Sequence, residues 1–186
     1  MGTDDSEIVN IGIVGQGNLA NLFIMKLLEA EYSINLLDSN DNKNYEKSTI
    51  HYHHSLAKLV RCSSIIITIT SDGPALEHAL FSEQGIVNFI AAGTVIVDMS
   101  SVSPELIQEI SEQLVEKEIL FLDAALINEE QNQSGLMQMM LIGGESHAYE
   151  MVLPIFQRIV KNVKHLGANG ASQFYRQAFA VRAKKA

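Results

Sequence analysis

Apolar and polar positions follow one another along the chain as short apolar runs separated by longer amphipathic stretches. Residues 8–14 are apolar enough for a strand buried on both faces. In residues 18–31, Leu19, Leu22, Phe23, Lys26 and Leu27 fall at helical spacing and make one mostly apolar face. Residues 33–37 form a second strand, and the polar, Asn-rich stretch 38–47 a loop. A short strand is predicted at 48–52 and a helix at 55–61. The β-branched run 64–70 reads as a central strand. Gly73 and Pro74 then open a helix that reaches Leu80. Residues 94–98 form another buried strand. Ser103, Pro104 and Glu105 supply an N-cap, a first helical residue and a dipole partner for a helix to about Lys117. A sixth strand is expected at 119–123, two more at 136–142 and 160–165 around one helix, and a helical tail from Ala171. Such alternation implies an α/β fold: a doubly wound, mainly parallel Rossmann sheet with helices on both faces. Residues 1–167 are expected to form one Rossmann-type domain, and residues 168–186 a C-terminal helix that starts something else.

The junction of the first strand and helix carries the most chemistry. Gly15, Gln16, Gly17, Asn18, Leu19 and Ala20 join them. Gly15 is expected to allow the tight turn, and Gly17 to let backbone N–H groups approach a pyrophosphate at the positive end of the helix. Asp38 closes the second strand about 20 residues on, where a carboxylate can hold a ribose 2′-hydroxyl. The alternative is a glycine turn that only packs a helix on a sheet. With Asp38 followed by Ser39 and Asn40, and with Lys43 the nearest cation, NAD is expected over NADP.

Composition narrows the classes. The chain has 186 residues, 47% of them apolar, and a formal net charge of -9. That acidity argues against nucleic acid and anionic membranes as partners. No apolar run approaches a membrane span. The acidic N-terminus (Asp4, Asp5, Glu7) is wrong for a signal peptide, and the single Cys62, expected to be buried, suits a reducing, cytoplasmic setting. His51, Tyr52, His53 and His54 read as an exposed edge or loop, because no carboxylate or Cys completes a metal set. Met137, Met139 and Met140 read as strand packing, and Glu129-Glu130 as a solvated loop.

Taken together, five landmarks resemble the β-hydroxyacid dehydrogenases, the family of 3-hydroxyisobutyrate and 6-phosphogluconate dehydrogenases. They are residues 11–20, the Asp98-Met99-Ser100-Ser101 segment with Pro104, Phe121-Leu122-Asp123-Ala124, Gly135-Leu136, and Ile142-Gly143-Gly144. The resemblance implies an NAD-linked oxidoreductase of a small 3-hydroxy acid. It places Thr70 and Ser71 along the cofactor and Ser101 beside the nicotinamide ribose. It also implies departures. Asn128, Glu129 and Glu130 stand where the family binds the substrate carboxylate, and two acids there would repel it. In Gly170-Ala171-Ser172-Gln173-Phe174-Tyr175-Arg176, Arg176 takes the position of the catalytic Lys, yet Arg does not readily trade a proton. Phe179 and Ala180 replace an Asn pair, and the chain ends at Ala186, where the family continues into a helical domain. The expectation is a dinucleotide-binding protein with impaired or no hydride transfer on its own. Two alternatives stay open: an oxidoreductase completed by oligomerisation or a partner chain, and a nucleotide-sensing or scaffold protein. Phe174, Ala178 and Val181 share one helical face, with Tyr175 and Phe179 beside it, so a homodimer or a helical partner is expected through the tail.

Overall fold

The computed structural model describes residues 9–38, 45, 48–127 and 137–183. Ile8, Ser39, Asn40, Lys43, the Asn128-Glu129-Glu130 stretch and Gly135-Leu136 lie outside the described residues, so the expectations placed on them stand as sequence readings. The elements run β1 (Asn10–Gly15), α1 (Asn18–Glu29), β2 (Ser33–Leu37), β3 (Ile50–His53), α2 (Leu56–Arg61), β4 (Ile65–Ile69) and α3 (Gly73–Phe81). After a 3₁₀ turn at Ile86–Asn88 come β5 (Val95–Asp98), α4 (Pro104–Val115), β6 (Leu120–Ile127), β7 (Met137–Gly144), α5 (Ser146–Ile159), β8 (Val160–His165) and α6 (Ala171–Ala183). The strands form one eight-stranded sheet ordered β3-β2-β1-β4-β5-β6-β7-β8. Neighbours are parallel throughout, except that β6 and β7 run antiparallel.

The alternation of side chains along each strand feeds two cores. In β4, Ile65 and Ile67 point to the face covered by α1 and α5, where Phe23 and Phe156 meet edge to face with centroids 6.5 Å apart. Ile66 points to the other face, against Leu59 of α2, Leu76 and Leu80 of α3 and Ile107, Ile110 and Leu114 of α4. A parallel sheet covered on both faces buries its strands at every position, as in β4 and β5, which are apolar but for Thr68 and Asp98 at their carboxyl ends. Three helices begin on side-chain caps: Ser55 accepts from the N–H of Lys58, Asp72 from Ala75 and Ser103 from Leu106.

The differences from the sequence reading have local causes. The sixth strand does not stop at Asp123 but runs on to Ile127, because Ala124–Ile127 pair with β7 across an antiparallel edge. Glu31 (φ 66) and Glu118 (φ 57) adopt left-handed backbone, which ends α1 and α4 before the expected residues. The buried face of α1 is Ala20, Phe23, Ile24, Leu27 and Leu28, turned slightly from the one expected. Leu19 and Leu22 are partly buried and Lys26 pairs with Glu29 at the rim. Cys62 is half-buried at the end of α2 rather than fully enclosed.

Candidate functional site

The chain passes from β1 outward to β2 and β3, then returns past β1 to β4. Strand order therefore reverses between β1 and β4, and a crevice opens at their carboxyl ends. A cleft of about 430 Å³ lies there, lined by Gly15, Gln16, Leu37, Thr70 and Ser71 among others. Gly15 is the last residue of β1, and its glycine is required by a close approach rather than by the turn. A Cβ there would stand 2.3 Å from the carbonyl oxygen of Ile69 on β4. Gly17 has φ +94, a conformation that side chains rarely adopt, and among the described residues nothing lies within 4 Å of where its Cβ would stand. Gly17 is also the N-cap residue of α1, which has no side-chain cap. The first N–H groups of this helix thus face open space with the dipole behind them, an arrangement that suits an anion. Asn18 continues the turn, exposed, and Leu19 turns partly inward. A dinucleotide pyrophosphate fits this cradle. Asp38, one residue beyond Leu37, stands at the end of β2.

At the ends of β4 and β5 the serines divide their work. Ser100 is buried: its hydroxyl donates to Asp98 Oδ1 (2.6 Å) and accepts the N–H of Thr70 (2.9 Å). It ties the two strand ends together. Ser101 is exposed beside it. Thr68, Asp98 and Asp123 sit side by side in register on β4, β5 and β6, all fully buried. Asp98 Oδ1 accepts from Thr68, from Ser100 Oγ and from the Ser100 N–H, while Oδ2 has no partner among the described residues. Burial, only partly offset by these bonds and reinforced by the neighbouring Asp123, pushes the Asp98 carboxyl up to about 6. The folded protein must then hold a buried charge once the pH passes that value. Stability attached to Asp98 is complete below about pH 4 and lost as the pH rises through 6. Between those limits wild-type protein should lose stability relative to Asp98→Asn by on the order of 2 kcal/mol. Denaturant melts of both proteins at the two pH values measure it; identical pH responses would exclude Asp98 as the cause.

Asp123 has a richer set of donors. It accepts from the N–H of Gly170 (2.8 Å), the N–H and hydroxyl of Ser172 (3.2 and 2.5 Å) and the amide of Asn169 (3.3 Å). One buried carboxylate thereby fastens the first turn of α6 to the sheet, with the helix dipole favouring its charge. That fastening aims Arg176, one turn further along α6, at the segment after β5. Its guanidinium donates to the Ser101 hydroxyl, to the carbonyl of Ser100 (3.4 Å) and to the carbonyl of Val102 (3.4 Å). Burial lowers the Arg176 pKa and the nearby Asp98 opposes that shift. The two residues expected at the chemical end of the site, Ser101 and Arg176, are thus brought together, outside the cleft that holds Gly15, Gln16, Thr70 and Ser71.

Residues 10–167 match the family described as the NAD binding domain of 6-phosphogluconate dehydrogenase. The chain belongs to this family. Among similar proteins, 2-hydroxy-3-oxopropionate reductase of Escherichia coli (strain K12) is 32% identical over 116 residues, 62% of this chain and 40% of that protein. The 3-hydroxyisobutyrate dehydrogenase of Pseudomonas aeruginosa is 20% identical over 168 residues, 89% of this chain and 56% of that one. The imine reductase from Myxococcus stipitatus, solved in complex with NADP+, superposes with a TM-score of 0.83 at 18% identity, covering 95% of this chain and 61% of that chain. Its V8 variant, solved in complex with NAD+, gives 0.79 at 18% identity over the same shares of both chains. The chain spans about half the length of the curated relatives it matches.

Within this 6-phosphogluconate dehydrogenase-type domain, several residues had no assigned role in the sequence reading. Asp98 and Asp123 each close an apolar run, the one signal in the sequence that marks them. Gln173 is fully buried in α6, with neither amide atom hydrogen-bonded among the described residues. His54 is not idle, since its Nδ1 lies 3.1 Å from Asp38 Oδ2. Among the described residues no three His, Cys, Asp or Glu side chains gather as metal ligands, and no helix is long and apolar enough to cross a membrane.

Proposed function

We propose that residues 1–167 bind a dinucleotide, NAD ahead of NADP, and that Arg176 in the following helix holds the site's outer segment instead of exchanging a proton. The observation that carries the binding site is the uncapped N-terminus of α1 behind Gly17, whose positive φ leaves open space against the backbone N–H groups. Gly15, Gln16, Asn18 and Leu19 would flank the pyrophosphate, Asp38 the adenosine ribose, Thr70 and Ser71 the path across the switch point, and Ser101 the nicotinamide side. A bound nicotinamide supplies the hydride donor or acceptor. For proton transfer this chain offers Arg176 at the family's lysine position, and its guanidinium is engaged with Ser100, Ser101 and Val102. A permanently charged donor so placed can orient an oxygen but not shuttle its proton. General acid–base assistance typically contributes about 10²–10⁴-fold, so its loss is large.

The test is a calorimetric titration with NAD and NADP, followed by an assay against a panel of small 3-hydroxy acids that records reduced nicotinamide. NAD should bind about tenfold more tightly near neutral pH, since the Asp38 carboxylate accepts from a 2′-hydroxyl and repels a 2′-phosphate. Turnover should stay far below about 1 s⁻¹, an ordinary enzyme rate. Saturable turnover at that rate would favour an oxidoreductase completed by a second copy or a helical partner. A specific observation supports that second reading: Phe174 and Tyr175 on α6 are 69% and 44% exposed, with the Tyr175 and Phe179 rings 4.9 Å apart beside them. A self-associating tail predicts a dimer mass by light scattering that reverts to monomer in Phe174→Asp. A monomer mass in both proteins would remove that reading.

A further inference from the structure

The carboxyl ends of β2 and β3 meet where the N–H of Asp38 donates to the carbonyl of His53 (2.8 Å). This contact sets two histidines in different environments. Asn35, buried in β2, donates its amide to the carbonyl of Cys62 (2.9 Å) and to Ser63 Oγ (3.2 Å), so its own oxygen is turned toward His53 Nε2 at 2.7 Å. His53 therefore donates from Nε2. Burial first, then the nearby His51, Lys58 and His54, lower its pKa, which keeps it a neutral part of the fold. His54 points the other way. Its Nδ1 lies 3.1 Å from Asp38 Oδ2, and the two side chains are 90% and 31% exposed. The imidazole is thus almost fully open to solvent, while the carboxylate it meets is partly covered.

The charged and titratable surroundings of this pair are few among the described residues. β3 contributes His51, His53 and Tyr52, whose phenol feels the Asp38 charge. α2 contributes Lys58, close to His53, and Arg61 at its opposite end, stacked over the Phe89 ring. The first turn of α1 carries no acid. Among the described residues, the Asp38 carboxylate is ion-paired with His54.

We propose that His54 is a specificity-determining residue, whose imidazolium beside Asp38 admits a 2′-phosphate and makes the choice between NAD and NADP depend on pH. The inference rests on the dinucleotide site proposed above and deepens it. With His54 neutral, Asp38 presents a bare carboxylate, which accepts from a 2′-hydroxyl and repels a phosphate. With His54 protonated, the pair is neutral overall, and an N–H is available to the phosphate oxygens. Histidine is the side chain that gains or loses its charge within the physiological range.

Calorimetric titrations of the whole chain with NAD and with NADP near pH 6 and pH 8 test this, in wild type, His54→Gln and His54→Lys, with circular dichroism to confirm folding. The readout is the ratio of the two dissociation constants, which cancels any general weakening of the site. In wild type, the preference for NAD should shrink by about tenfold from pH 8 to pH 6. The 2′-phosphate itself titrates near pH 6, so His54→Gln should retain a change of about twofold from that source alone. His54→Lys should hold the low-pH ratio to within that twofold at both pH values. An equal pH response in wild type and His54→Gln, or a His54→Lys ratio that follows pH as steeply as wild type, would overturn the proposal while leaving the dinucleotide site standing. If the folded wild type binds neither nucleotide at either pH, the site itself is wrong and the role of His54 falls with it.

Discussion

Gly17→Val is expected to weaken NAD binding at least about 100-fold in a protein that still folds. The pyrophosphate approach uses backbone N–H groups at the start of α1, and charge-assisted hydrogen bonds to such groups are worth about 1.5–3 kcal/mol each. Losing two of them, with a branched side chain filling the open space in front of Gly17, exceeds the roughly 2.8 kcal/mol that corresponds to 100-fold. The fold should also register the change. A β-branched residue held near φ +94 costs about 1–2 kcal/mol, or several degrees of melting temperature at this chain length. Binding and stability therefore fall together but by different amounts, and calorimetry with a thermal melt separates them. Unaltered NAD affinity in the folded variant would mean that the ligand does not sit at this helix. A large stability loss with no ligand effect would identify the turn as a packing device only.

The second large effect is expected at Asp123. Replacing it with Ala leaves the N–H groups of Gly170 and Ser172, the Ser172 hydroxyl and the Asn169 amide facing a buried gap. Each unsatisfied buried donor costs about 1–3 kcal/mol, and a total loss of about 3–5 kcal/mol is expected after relaxation. One effect works in the opposite direction: the variant relieves repulsion at Asp98. Burial dominates the Asp98 shift and Asp123 is the last of its causes, so the relief is the smaller effect. The melting temperature should fall by about 10 °C, and the break should be local. Without its anchor, α6 loses the placement that sets Arg176 on Ser101, and limited proteolysis should cut within 171–183 well before the sheet is attacked. A variant whose α6 resists protease as the wild type does, with a melting temperature within two or three degrees, would show that the helix is held by its apolar contacts instead.

Much of this was readable from short stretches of chain. β2 and β8 occupy the residues expected for them, and α3 and α4 begin where Gly73-Pro74 and Ser103-Pro104 placed them. The strand–glycine–helix junction at Gly15 to Leu19 and the acid at Asp38 are likewise local. Other parts were misread where a neighbour far away in sequence intervenes. β6 passes Asp123 because β7 pairs with it. Gly15 is glycine because the backbone at Ile69 approaches it, not because the chain turns there.

What the sequence determines by itself is whatever a residue and its near neighbours settle: apolar period, helix caps, the sites where only glycine can adopt the backbone, and the permanent charge of Arg176. These follow from sterics and short-range hydrogen bonds, which act over a few residues. The tertiary structure decides which separate segments share an environment. Arg176 and Ser101 are 75 residues apart, Ser172 and Asp123 are 49, and Thr68 and Asp98 are 30. Burial of Asp98 and the pairing of His54 with Asp38 depend on sheet order and register, which bring β4, β5 and β6 together and the end of β2 beside the end of β3. Electrostatic and hydrogen-bond energies depend on distance and solvent exposure, and neither exists for these groups until the sheet has formed.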